Sequence, residues 1–128
     1  MHVACGIMID INNHIFMGKR SNLSSDSGKW EFPGGKQEPG ESMRQCLHRE
    51  WKEELNVNIE ITELLPITSQ TGKYCCHYFT GKITDVANIQ LMVHDSIGFF
   101  PISEIVRFNI YEEDAQVINY VKRHYIDK

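Results

Sequence analysis

Apolar and polar positions follow two periods along the chain, and each change of period marks an element. From Val3 to Asp10 the residues are apolar and β-branched, Asn12-Asn13 signals a turn, and His14 to Arg20 resumes the apolar run, so a hairpin is predicted. Ser21 to Lys29 is polar and Ser-rich, the composition of a connecting loop, and Trp30-Glu-Phe-Pro33 then leads into Gly34-Gly35. Pro39-Gly40 ends any earlier regular structure. Ser42-Met-Arg-Gln45 has the spacing of a capping box, and a helix is predicted from Ser42 to about Leu55.

Period two returns after that helix. Val57 to Leu65 alternates as a strand, Tyr74 to Phe79 and Ile83 predict a pair turning at Thr80-Gly81, and Phe99-Phe100-Pro101 opens a further segment. Glu112 to Tyr125 carries Val117, Val121 and Tyr125 at fourfold spacing and reads as a closing helix. Strands on both sides of a central helix, without repeat or linker, predict one mixed α/β layered domain over residues 1–128.

Composition narrows the function. A content of 41% hydrophobic and 23% charged residues belongs to a folded chain. The net charge of −4 argues against a general electrostatic grip on nucleic acid or anionic membrane. No apolar stretch approaches the ~20 residues of a membrane span, and the first residues lack the pattern of a signal peptide, so a soluble, cytoplasmic protein is expected. Cys5, Cys46, Cys75 and Cys76 form no CxxC pair and read as reduced core or surface thiols.

The acidic excess has a location. Glu38, Glu41, Glu50, Glu53 and Glu54 surround one glycine turn and the helix that follows it. With Met43 at zero and about 100° per residue, Leu47 falls near 40° and Trp51 near 80°, while Glu50, Glu54 and Glu53 fall near −20°, +20° and −80°. The carboxylates thus border the apolar stripe. Glu50 and Glu54 are like charges one turn apart, and burial beside that stripe adds a desolvation cost that a cation would offset. Mg²⁺ prefers such oxygen ligands and leaves part of its shell to water and phosphate; Gly34-Gly35 offers a closely approaching backbone.

From Gly35 the sequence runs through five residues to Glu41, seven more to Arg49-Glu50, then Trp51, one residue, Glu53-Glu54, one residue, and Asn56-Val57. This pattern resembles the Nudix box of pyrophosphohydrolases, and the flanks Trp30-Glu-Phe-Pro-Gly-Gly-Lys36 and Glu38-Pro-Gly-Glu-Ser42 look like its MutT-type branch. Two positions depart from it. Asn56 replaces the usual Gly, yet Asn tolerates a left-handed helix stop, and Trp51 exceeds the usual aliphatic while remaining on the buried stripe.

The resemblance implies a Nudix-like α/β/α sandwich with a mixed sheet, a catalytic helix after a Gly-rich loop and a C-terminal helix. It also implies a metal-dependent nucleoside triphosphate pyrophosphohydrolase that releases monophosphate and pyrophosphate. The expected substrates are an oxidised purine nucleotide such as 8-oxo-dGTP or a cytidine nucleotide. The alternatives are another diphosphate-linked compound (nucleotide sugar, dinucleoside polyphosphate or capped RNA) or a non-catalytic binding domain.

Carried onto matching positions, the resemblance makes Glu50, Glu53 and Glu54 the catalytic residues and, with the Gly35 carbonyl, the ligands of Mg²⁺ or Mn²⁺. Glu50 is favoured as base over Asp95 or His94, and Glu41 and Arg49 support the loop. Arg20 and Lys36 are candidates for phosphate, Asp114 for a base edge, and Phe79, with Tyr78 and Tyr74, for stacking. No polynucleotide or membrane partner is expected, and a monomer or homodimer fits equally.

Overall fold

The computed structural model describes residues 1–21 and 28–127; most of the Ser-rich loop expected at 21–29 lies outside them. The strands are β1 (His2–Met8), β2 (Ile15–Arg20), β3 (Trp30–Glu31), β4 (Gly34–Lys36), β5 (Ile59–Thr71), β6 (Tyr74–Ile83) and β7 (His94–Phe100). The helices are α1 (Met43–Leu55), α2 (Ile102–Ile105) and α3 (Asp114–Val121). One sheet has the order β4-β1-β6-β5, with β1 and β6 parallel; the other, β3-β2-β7, is antiparallel. This is the mixed α/β architecture expected, with α1 and α3 packed into separate cores.

The predicted N-terminal hairpin is a correction. The turn forms at Asn12-Asn13 as expected: Asp10 Oδ1 accepts from the Asn12 and His14 N–H groups, and Asn13 adopts φ 60°. Beyond one bridge between Ile9 and Ile15, however, β1 and β2 part into different sheets, because β6 and β4 occupy both edges of β1. The turn predicted at Thr80-Gly81 is a second correction. β6 runs straight through, and Gly81 is needed because a Cβ there would collide with the Glu60 carbonyl of β5. β5 continues past Leu65 and carries Pro66 where its register shifts between Leu64 and Thr68.

Helix α1 forms as its sequence dictates. The Gln45 N–H donates to Ser42 Oγ (3.1 Å) and the Ser42 N–H to Gln45 Oε1 (2.7 Å), while Asn56 ends the helix in the left-handed region at φ 59°. Cys46, Leu47, Trp51 and Leu55 are fully buried against Ala4, Phe16 and Phe79. On the other side, Val117, Ile118 and Val121 of α3 pack with Ile7, Met17 and Tyr78, and the helix closes in a wide turn over Lys122–Ile126. Among the described residues no helix is long and apolar enough to cross a membrane.

Candidate active site

Strand β4 carries the glycine turn to the edge of β1, pairing Ala4 with Gly35 and Cys5 with Gly34. The Trp51 indole N–H donates to the Pro33 carbonyl at 2.8 Å, fully buried, so the helix holds the turn directly. This bond gives the oversized aromatic a role that its apolar character alone does not suggest. Gly35 has no room for a side chain, since a Cβ would collide with the Glu50 carboxylate.

Arg49 fastens the loop to the helix. Its Nε and Nη2 donate to the two oxygens of Glu41 at 3.0 and 2.7 Å, Nη2 also reaches the Lys36 carbonyl at 3.0 Å, and Nη1 contacts Glu50 at 2.8 Å and Glu53 at 3.1 Å. The Arg49 hydrogen bond and the Glu38 N–H hold the Glu41 carboxyl down at about 2. Both residues therefore stand where a loop support should stand.

The helix glutamates sit in unlike surroundings. Glu53 is mostly exposed, whereas burial raises Glu50 above the ordinary carboxylate range despite Arg49 beside it. Glu54 is pushed up to about 8, first by burial and then by the neighbouring charges of Glu31 and Glu50. Its Oε2 is buried without a hydrogen-bond partner among the described residues. An orphaned carboxylate oxygen amid further carboxylates fits a divalent cation, whose charge would offset both burial and repulsion.

Sequence reasoning missed Glu31. Its Oε2 lies 2.8 Å from His94 Nε2, its Oε1 3.4 Å from Arg20 Nη1, and Glu31, Glu54 and His94 bring donor atoms within 4.8 Å of one another. The available signal was its place in Trp30-Glu31, the strand entering the glycine turn and paired with Gly18-Lys19. His94 is buried under Gly18, whose Cβ would strike its ring, while Asp95 is exposed on the strand's other face. Of the two residues weighed against Glu50, the structure brings His94 to the site.

A cavity of about 720 Å³ opens beside these groups, a size that suits a nucleotide-like small molecule. Glu31, Gly34 and Gly35 line it, and Glu50 and Glu54 stand directly against the glycines. Arg20 and Lys36 both line it. Tyr78 and Asp114 line it as well: the tyrosine hydroxyl donates to Asp114 Oδ1 at 2.8 Å and sits 2.8 Å from Ser69 Oγ. Burial raises Asp114 to about 6.

Phe79 does not line the cavity. The β6 pleat turns it into the core beneath α1, 2% exposed, and presents Tyr78 and Cys76 to the cavity instead. Cys5 and Cys76 also line the cavity, and all four cysteines are free.

Comparison with known proteins gives the same placement. An 8-oxo-dGTP diphosphatase of Proteus vulgaris is 40% identical over 65 residues, 51% of this chain and 58% of that protein. A CTP pyrophosphohydrolase of Escherichia coli is 43% identical over 56 residues, 44% of this chain and 42% of that protein. The chain thus spans about half the length of the named relatives it matches. A MutT structure from work on Aliivibrio salmonicida and Vibrio cholerae superposes with a TM-score of 0.78 at 25% identity, covering 97% of this chain and 98% of that one. The NUDIX domain model matches residues 1–121, and the chain belongs to the Nudix family.

Proposed function

We propose that the protein is a divalent-metal-dependent hydrolase of nucleoside triphosphates, releasing a nucleoside monophosphate and pyrophosphate. The observation that supports it is the cavity itself, lined by Gly34 and Gly35 with glutamates packed against them and by the hydrogen-bonded Tyr78–Asp114 pair. The names of the relatives, an 8-oxo-dGTP diphosphatase and a CTP pyrophosphohydrolase, agree with a (deoxy)nucleotide carrying an oxidised purine or cytosine.

Glu50, Glu53 and Glu54, with the Gly35 carbonyl, are the residues that would hold Mg²⁺ or Mn²⁺, and Glu31 lies close enough to Glu54 to join them. When bound, the cation would neutralise charge developing on phosphate oxygens and favour ionised water. Arg20 and Lys36, which line the same cavity as the glycines, place the triphosphate. Glu50 serves as the base: its burial moves it toward neutral pH, as proton abstraction requires, and Arg49 orients it.

Asp114, in the same cavity, reads the base. A carboxylate accepts from an exocyclic amine, which cytosine, adenine and guanine carry and thymine lacks. The Tyr78 hydroxyl bond leaves Oδ2 free of the pairing that holds Oδ1.

The test is a panel of ordinary and oxidised nucleotides with Mg²⁺, with both products identified. Monophosphate and pyrophosphate from a purine or cytidine nucleotide are expected. Orthophosphate as the product, or turnover of only nucleotide sugars or capped RNA, would overturn this assignment.

A further inference from the structure

Outside the glutamate cluster, a second group of metal-binding side chains lies on the opposite face of the β1–β6 pair from the cavity. The parallel register sets His2 directly across from Cys75 and Ala4 across from His77. The strand pleat puts all four on one face, the face on which Ala4 and Phe79 enter the core beneath α1. Two residues short of Ala4 that face reaches solvent, leaving His2 exposed and Cys75 and His77 half-buried.

Three donors converge there. His2 Nδ1 and His77 Nε2 are 2.8 Å apart, and one ring nitrogen of each histidine and the Cys75 sulfur lie within 4.8 Å of one another. Tetrahedral zinc with ordinary bond lengths needs separations of about 3.3 Å between nitrogens and about 3.6 Å between nitrogen and sulfur, so the separations need change by no more than about 1.2 Å. The β5 residues opposite His77 and Cys75 are Thr68 and Gln70, uncharged and without competing cations.

We propose that His2, Cys75 and His77 form a zinc-class metal site, separate from the glutamate site and selective for borderline ions. Two imidazoles and a thiolate with no carboxylate are a poor set for Mg²⁺ and a good one for Zn²⁺ or Co²⁺. Three protein ligands leave the fourth position to water. The bound ion would tie the start of β1 to the start of β6, strands whose other face lines the cavity through Val3, Cys5, Cys76 and Tyr78.

The experiment is a Co²⁺ titration of the whole protein in excess Mg²⁺, read by absorption. One equivalent of Co²⁺ should give a thiolate-to-cobalt charge-transfer band, which carboxylate ligands cannot produce. Cys75→Ser and His77→Ala should abolish the band, His2→Gln should weaken Co²⁺ binding at least tenfold, and Cys76→Ser should leave the band intact. Melting curves of the metal-free variants report folding, and Zn²⁺ should raise Tm for wild type and Cys76→Ser but not for Cys75→Ser. Absence of the band, or a band that survives Cys75→Ser and disappears with Cys76→Ser, would overturn the site.

Discussion

Glu50 of α1 rests its carboxylate on Gly35 of β4 so closely that no Cβ could stand between them. The contact joins the glycine turn to the helix at the point where the proposed cation would meet the Gly35 carbonyl and the Glu50 carboxylate. Gly35→Ala should displace the Glu50 carboxylate while leaving the rest of α1 packed. Misplacement of about an ångström costs on the order of 10²-fold in rate, so kcat/KM should fall by about that factor with Mg²⁺ present. Steady-state kinetics beside a melting curve checks this; unchanged kinetics would show that the Glu50 position does not matter.

Trp51 makes a separable prediction. Its buried indole N–H shares the Pro33 carbonyl with the Gly6 N–H, and its ring packs 5.3 Å from Phe16. Trp51→Phe keeps much of the packing and removes one of the two hydrogen bonds that carbonyl accepts, leaving the one from Gly6 N–H, a loss of about 0.5–1.5 kcal/mol. The loss should appear in chemical denaturation. Because Pro33 precedes the glycine turn, KM should also rise, and a variant as stable as wild type would show that the bond contributes nothing net.

Much of this site was legible in the chain. Ser42, Gln45 and Asn56 act through local backbone chemistry, which sequence spacing determines, and helix periodicity places Trp51 inside and the glutamates at its margin. What stayed hidden depends on pairing between distant segments. Glu31 joins Glu54 and His94 only because β3 and β7 flank β2. Alternation in β6 left open which of Tyr78 and Phe79 faces the cavity, since both sides of that strand are buried, one under α1 and the other toward α3. The N-terminal hairpin failed for the same reason: a turn signal fixes a reversal of direction, and sheet partners elsewhere decide whether the two strands pair.

Cys76 is the thiol that reagents should find first. A hydrogen bond from Cys5 lowers it to about 7 and the cavity gives access, whereas burial raises Cys46 to about 11. Iodoacetamide at neutral pH should therefore alkylate Cys76 ahead of Cys5 and Cys46, and a bound nucleotide should slow the reaction. Peptide mass spectrometry over a time course checks both points. Equal labelling with and without nucleotide would place the ligand away from β6.

Glu54 ties stability to pH in the metal-free protein. In the unfolded chain it loses its proton near 4.5, and in the folded protein burial and the charges of Glu31 and Glu50 hold the proton up to about 8. Between those values the folded state binds more protons, so this contribution is fully present below pH 4.5 and is lost as pH rises through 8. The slope reaches at most about 1.4 kcal/mol per pH unit. In chelator, Tm should decline across this window, and Glu54→Gln should flatten the decline and melt higher than wild type at pH 8. Saturating Mg²⁺ should oppose the decline in wild type, because a cation takes the place of the proton and binds more tightly as pH rises. A Glu54→Gln protein with the wild-type slope would assign the pH dependence to another group.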